Sequence, residues 1–134
     1  MKRRFTSILI VVGLALAGVV ASATGASASA EGCTWAPSGY VCNYTYGSGA
    51  YVDRIAAIRG RTGSLMCNYS ADASVQDPWG RVVWYGHQSH AGCTPVRAYF
   101  NFYPRRTFRC GYVTSVAWFE SGVRQGGYAN ISLC

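Results

Sequence analysis

The residues best suited to chemistry near neutral pH are His87 and His90, close together in Gly86-His87-Gln88-Ser89-His90. Histidine is the side chain whose ordinary pKa lets it give and take protons in that range. With Glu120 as a second acid–base group and arginines for phosphate, either histidine would serve a small secreted nuclease. The spacing does not demand that site. An exposed polar loop between Tyr85 and Cys93 accounts for both residues more simply. His-x-x-His also supplies only two metal ligands, short of a structural or catalytic set.

Carboxylate chemistry is limited by supply. The chain has five acids, Glu31, Asp53, Asp72, Asp77 and Glu120. A glycosidase needs two well-placed carboxyls. Asp77 belongs to a turn, Glu31 lies near the start of the expected mature chain, and Asp72 sits in a Ser/Ala-rich polar stretch that reads as a loop. Asp53 and Glu120 remain, with no motif around them. The same scarcity excludes a calcium cage. There is no Gly-x-Ser-x-Gly, no nucleotide-binding motif and no cysteine knuckle, so neither a cofactor nor a metal is expected.

Binding chemistry is better supplied. The stretch Tyr99-Phe100-Asn101-Phe102-Tyr103-Pro104-Arg105-Arg106-Thr107-Phe108-Arg109 is dense in aromatics and arginine. Tyr, Trp and Arg are the commonest interface anchors. Phe100 and Phe102 are expected in the core. Tyr99, Tyr103, Arg105 and Arg106 are the candidate contact patch, the arginines offering bidentate hydrogen bonds to carboxylates.

The elements that position these residues follow a leader. Lys2, Arg3 and Arg4 precede an apolar run over 8–21, and small residues end at Ala30. This is the pattern of a secretory signal peptide over 1–30, and the run is short for a bilayer span of about 20 residues. The expected mature domain is 31–134. It holds nine arginines, no lysine and five acids, a net charge of +4. That moderate charge suits acidic partners and leaves nucleic acid unlikely. Arginine without lysine, together with the Ala-rich leader, points to a G+C-rich bacterial source. Cys33, Cys42, Cys67, Cys93, Cys110 and Cys134 all fall in this part. An even number behind a leader implies three disulfides in an oxidising space, and sequential pairing is the expected pattern. Asn43, Asn68 and Asn130 head glycosylation sequons, expected to be unused in a bacterial protein.

Turn residues recur at short intervals, with β-branched and aromatic runs of strand length between them. Asp77-Pro78-Trp79-Gly80 has the residues of a type I turn and predicts a hairpin joining 65–76 to 81–85. Tyr51 to Arg59 reads as a strand. Val96, Ala98, Phe100 and Phe102 alternate with Arg97, Tyr99, Asn101 and Tyr103, the period of a half-buried strand. Phe108 to Glu120 reads as one strand, bulged, with Val116 and Trp118 on one face and Val113, Ala117 and Phe119 on the other. The fold class is all-β: a small disulfide-stapled sandwich or partly closed barrel of about six to eight short antiparallel strands. No amphipathic helix suggests membrane insertion. The expected function is a secreted, non-enzymatic binding protein, an inhibitor of an extracellular enzyme or a cell-surface glycan binder. The alternatives are a cationic antimicrobial or toxin-like protein, and the nuclease. Oligomeric state is left open.

Overall fold

A computed structural model describes residues 29–134; the expected leader, except its last two residues, lies outside them. The strands are β1 (Ala30–Ala36), β2 (Gly39–Ser48), β3 (Tyr51–Arg61), β4 (Met66–Gln76), β5 (Val82–Thr94), β6 (Arg97–Phe102), β7 (Arg106–Thr107), β8 (Val113–Glu120), β9 (Val123–Arg124) and β10 (Ala129–Ser132). They form two antiparallel sheets. The first runs β1-β2-β3-β6, with β7 also on β3; the second runs β10-β8-β4-β5, with β9 on β8. The two sheets pack as a sandwich, and among the described residues no closed barrel forms.

The hairpin at Asp77 forms as its sequence dictates. Gly80 N–H donates to the Asp77 carbonyl at 2.9 Å, closing the turn, and Gly80 takes φ +81°, a conformation that favours glycine. The Asp77 carboxylate accepts from the backbone N–H of Trp79 and of Arg81, each at 2.9 Å, and from Arg81 Nε at 2.6 Å. Burial alone would push this carboxyl up. The hydrogen bonds from Arg81 and Trp79 and the Arg81 charge outweigh burial and hold it below the ordinary carboxylate range.

Strand alternation fills the interior. Val41, Val52, Ile55, Ala57, Ala71, Ala73, Val75, Ala98, Val116 and Trp118 point between the sheets. Small alanines on β3, β4 and β6 leave room for large groups, above all Trp118. Its ring stacks on Tyr69, with centroids 5.3 Å apart, and packs on Phe100 at 5.4 Å. The backbones also approach closely where β1 meets β10. A Cβ added to Gly32 would lie 2.6 Å from the Asn130 carbonyl oxygen, so only glycine fits.

Two polar clusters cross the interior. Asn43 Nδ2 donates to the carbonyls of Thr114 and Ala129, each at 3.1 Å, and its Oδ1 accepts from Thr45 Oγ1 at 3.0 Å. Full burial makes the sequon at Asn43 inaccessible in the folded protein. The second cluster is charged. Arg59 is wholly buried, and its Nε donates to Glu120 Oε1 at 3.0 Å. Its Nη groups donate to the Gly60 carbonyl at 2.7 Å and the Pro37 carbonyl at 2.6 Å. Arg61 Nη1 takes the other Glu120 oxygen.

The disulfides pair sequentially: Cys33–Cys42, Cys67–Cys93 and Cys110–Cys134. The first two join residues directly opposite one another, β1 to β2 and β4 to β5. Three such bonds mark an oxidising environment, and each stabilises by about 2–4 kcal/mol.

Several local expectations need correction. The stretch around Asp72 is not a loop but the middle of β4. His87 and His90 are not in a loop but in β5, which extends to Thr94. Tyr69, Ala71, Ala73 and Val75 face inward there, and small alanines disguised the alternation. Phe108 to Tyr112 does not belong to a strand; β8 begins at Val113. Val96 sits in the turn before β6, exposed and at φ 62°.

Glu120→Gln should destabilise the fold by about 3–5 kcal/mol, because it strands a buried guanidinium. Denaturant unfolding checks this, and Arg59→Met combined with Glu120→Leu should recover most of the loss. Asp77→Ala should lower the Tm by several degrees at neutral pH. The folded-state pKa of Asp77 is depressed, so its charge contribution is complete above the unfolded carboxylate pKa of about 3.9 and is lost as pH falls through the folded value. Thermal melts of both proteins in increasing acid should therefore show the Tm gap narrowing.

Candidate functional site

Inward-facing positions on β2, β3 and β6 are occupied by core, so the alternate residues share the outer face of the first sheet. Pairing arranges them in rows. Glu31, Tyr44, Ala56 and Asn101 form one row, and Cys33, Cys42, Ile58 and Tyr99 the next. Trp35, Tyr40, Gly60 and Arg97 form a third. Trp35 is 86% exposed and Tyr99 65%, whereas Ala56 and Ile58 are buried beneath their neighbours. Tyr40 lies against the bare backbone of Gly60. A Cβ added there would come within 2.3 Å of the Tyr40 ring, so glycine lets the ring lie close to the sheet.

This face contains a shallow groove of about 340 Å³ lined by Tyr46, Arg54, Ala56, Ile58, Arg97, Tyr99 and Asn101. Arg54 stacks over Tyr46 at 4.0 Å. Arg54 and Arg97 sit toward opposite ends, and neither has a carboxylate within 4.0 Å among the described residues. At the β1 edge, Tyr44 Oη donates to Glu31 Oε1 at 2.5 Å. That hydrogen bond, with burial, pushes the phenol above its ordinary pKa, while Arg97 pulls the other way. Apolar floor, aromatic walls and bare guanidiniums suit a ligand with flat apolar surface and hydrogen-bond acceptors.

The sequence-derived patch is divided. Tyr99 lies in this groove. Tyr103 and Arg105 lie beyond the end of β6, the guanidinium 5.1 Å from the ring and 4.0 Å from Asp53. Arg106 lines a separate groove with Phe108. Trp35, Tyr40, Tyr46 and Arg54, which sequence reasoning missed, join Arg97, which it placed beside Tyr99 without a role, to supply most of the shared face. The signal of the first four was alternation along β1, β2 and β3, legible only once the three strands are known to be neighbours.

The acid–base residues are likewise redistributed. Glu120 is engaged by Arg59 and Arg61, and His90 stacks on Tyr69 at 4.9 Å. His87 instead meets Asp72, its cross-strand partner, with Nδ1 2.6 Å from Oδ1. Tyr85 donates to the same oxygen at 2.9 Å, and this raises its phenol pKa above the ordinary value, with burial adding to the effect. These groups lie on the outer face of the second sheet. The cluster of Glu31, Cys33 and Cys42 is no metal site, because both sulfurs are committed to the disulfide.

No protein-family model, curated protein or solved structure matches the chain.

Asp72→Asn removes the charged acceptor from Tyr85. Ultraviolet titration of that variant should show one tyrosine ionising at lower pH than in the wild type.

Proposed function

We propose that the protein is a secreted, non-catalytic binding protein that takes a cell-surface glycan on the outer face of its first sheet. The observation that carries this reading is the set of exposed aromatics Trp35, Tyr40 and Tyr99 on this face, Tyr99 lining the groove that Ala56 and Ile58 floor. Aromatic faces stack on the apolar faces of sugar rings, and tyrosine, asparagine and arginine donors meet the hydroxyls. The sandwich supports the reading because a stapled sheet holds these side chains in place without the ligand having to order them. Three disulfides agree with an extracellular destination. Among the described residues no helix is long and apolar enough to cross a membrane.

A second reading, an inhibitor of an extracellular enzyme, draws on the same face. Arg54 and Arg97 lack acidic partners and would serve the carboxylates of a protein target. The nuclease reading has less support, since Glu120 is held by two arginines instead of facing a histidine.

The test is retention of the purified, oxidised protein on insoluble cell-wall polysaccharide. Trp35→Ala and Tyr99→Ala should each weaken retention about tenfold, the effect of losing an anchor worth about 1–2 kcal/mol, with little change in Tm. Tyr85→Phe, on the opposite sheet, should leave retention unchanged. Retention that vanishes with added salt and ignores both aromatic variants would favour a charge-led antimicrobial mode instead. Retention of a single extracellular enzyme, and no polysaccharide, would favour the inhibitor.

A further inference from the structure

Residues 105–112, from the end of β6 to the start of β8, carry Arg105, Arg106 and Arg109. The segment is fixed from several directions. Arg106 and Thr107 pair with Val52 and Tyr51 as β7. Phe108 N–H donates to the Ala50 carbonyl at 2.9 Å, and Gly111 N–H to the Leu133 carbonyl at 2.9 Å. Cys110 is bonded to Cys134. Arg105 is held at φ 48°, in a left-handed conformation that costs a non-glycine residue energy and persists only where the surroundings enforce it.

Against this rigid segment lies a groove of about 300 Å³ lined by Val83, Arg106, Thr107, Phe108, Arg109 and Tyr112. Arg106 lies 5.3 Å from the Phe108 ring, a contact that orients its guanidinium. Neither Arg106 nor Arg109 has a carboxylate within 4.0 Å among the described residues. Asp53, Asp72, Asp77 and Glu120 are engaged by Arg105, His87, Arg81 and the Arg59–Arg61 pair, and Glu31 accepts from Tyr44. The groove is thus lined by two arginines, a threonine and a tyrosine, with no acid among its lining residues.

We propose that this groove is a phosphate site, receiving a phosphate group either free or borne on a saccharide. A phosphate carries nearly two charges and several strong acceptor oxygens, enough for both guanidiniums and the hydroxyl donors together. A carboxylate has one charge and two oxygens and satisfies only one guanidinium fully. The groove shares no lining residue with the groove that Tyr99 lines, so the assignment stands independently of the glycan reading.

The experiment follows the arginine Nε–Hε resonances of the full oxidised chain by NMR at constant ionic strength. The probes are inorganic phosphate, glucose 6-phosphate and acetate. Inorganic phosphate should shift the Arg106 and Arg109 signals saturably. Arg106→Gln and Arg109→Gln should each weaken binding about tenfold, the size expected for one charge-assisted contact. Arg124→Gln should leave it unchanged. Should a glutamine variant fail to fold, the lysine variant, which keeps the charge but not the planar fork, should still bind more weakly than wild type. Tighter binding of glucose 6-phosphate supports a saccharide-borne group, and equal binding supports recognition of phosphate alone. Shifts that do not saturate, acetate binding as tightly as phosphate, or an equal loss in Arg124→Gln would each overturn the proposal.

Discussion

The interaction on which the rest of this sandwich depends is the buried contact of Arg59 with Glu120. It is one of the few polar links between β3 and β8, which belong to different sheets. Removing both charges from water is expensive, and the arrangement survives because the geometry is nearly complete. Glu120 divides its oxygens between Arg59 and Arg61, while the remaining Arg59 donors find the Pro37 and Gly60 carbonyls. The pair therefore fixes more than one sheet against the other. It also holds the β1–β2 turn through Pro37. A one-residue slip of β3 would turn Arg59 to solvent and Ile58 inward, leaving Glu120 buried without a partner. Register on the first sheet, and with it the composition of its outer face, follows from this one charge.

The outer face is consequently the complement of the core. Where Val41, Asn43 and Thr45 point inward, Tyr40, Tyr44 and Tyr46 must point outward. Where Ile55, Ala57 and Arg59 point inward, Arg54, Ala56 and Ile58 lie outward. The groove with Arg54 and Arg97 is thus built from the same alternation that makes the interior. Its buried floor separates it from an ordinary solvated sheet surface: Ala56 and Ile58 are covered by Tyr44 and Tyr46 and not by another layer of protein.

Much of the architecture was legible because the local signals agreed with the global result. Asp77, Pro78 and Gly80 specify their turn through side-chain acceptor, fixed φ and positive φ respectively. The inward–outward parity of Val116, Ala117, Trp118 and Phe119 survives intact, and the sequential cysteine pairing matches the antiparallel neighbours. The failures have a common physical origin. Residues 69–75 alternate, but their inward set includes two alanines whose hydrophobicity is too small to stand out from Ser70, Asp72 and Ser74. Strand β5 is still harder to read, since most of its residues are exposed and its histidines occupy a sheet position in loop-like company. The partner of His87 was hidden for the same reason: Asp72 becomes its neighbour only when β4 and β5 are paired. Arg59 could not be recognised as a core residue at all without Glu120, 61 positions away. The Tyr99–Arg106 segment read as one patch because it is continuous in sequence, yet the chain turns after β6 and sends Tyr99 and Arg106 to different grooves.

The Cys33–Cys42 bond lies in the same row as Ile58 and Tyr99, so it forms part of the face it helps to hold. Covalent maturation and completion of that surface are therefore a single event. A chain still carrying thiols has two separate sulfhydryl groups where the finished protein has one disulfide. The edge strand bearing Trp35 then lacks its covalent tie to β2. The face reaches its final shape only where oxidants are present, and a reducing compartment would hold an unfinished version of it.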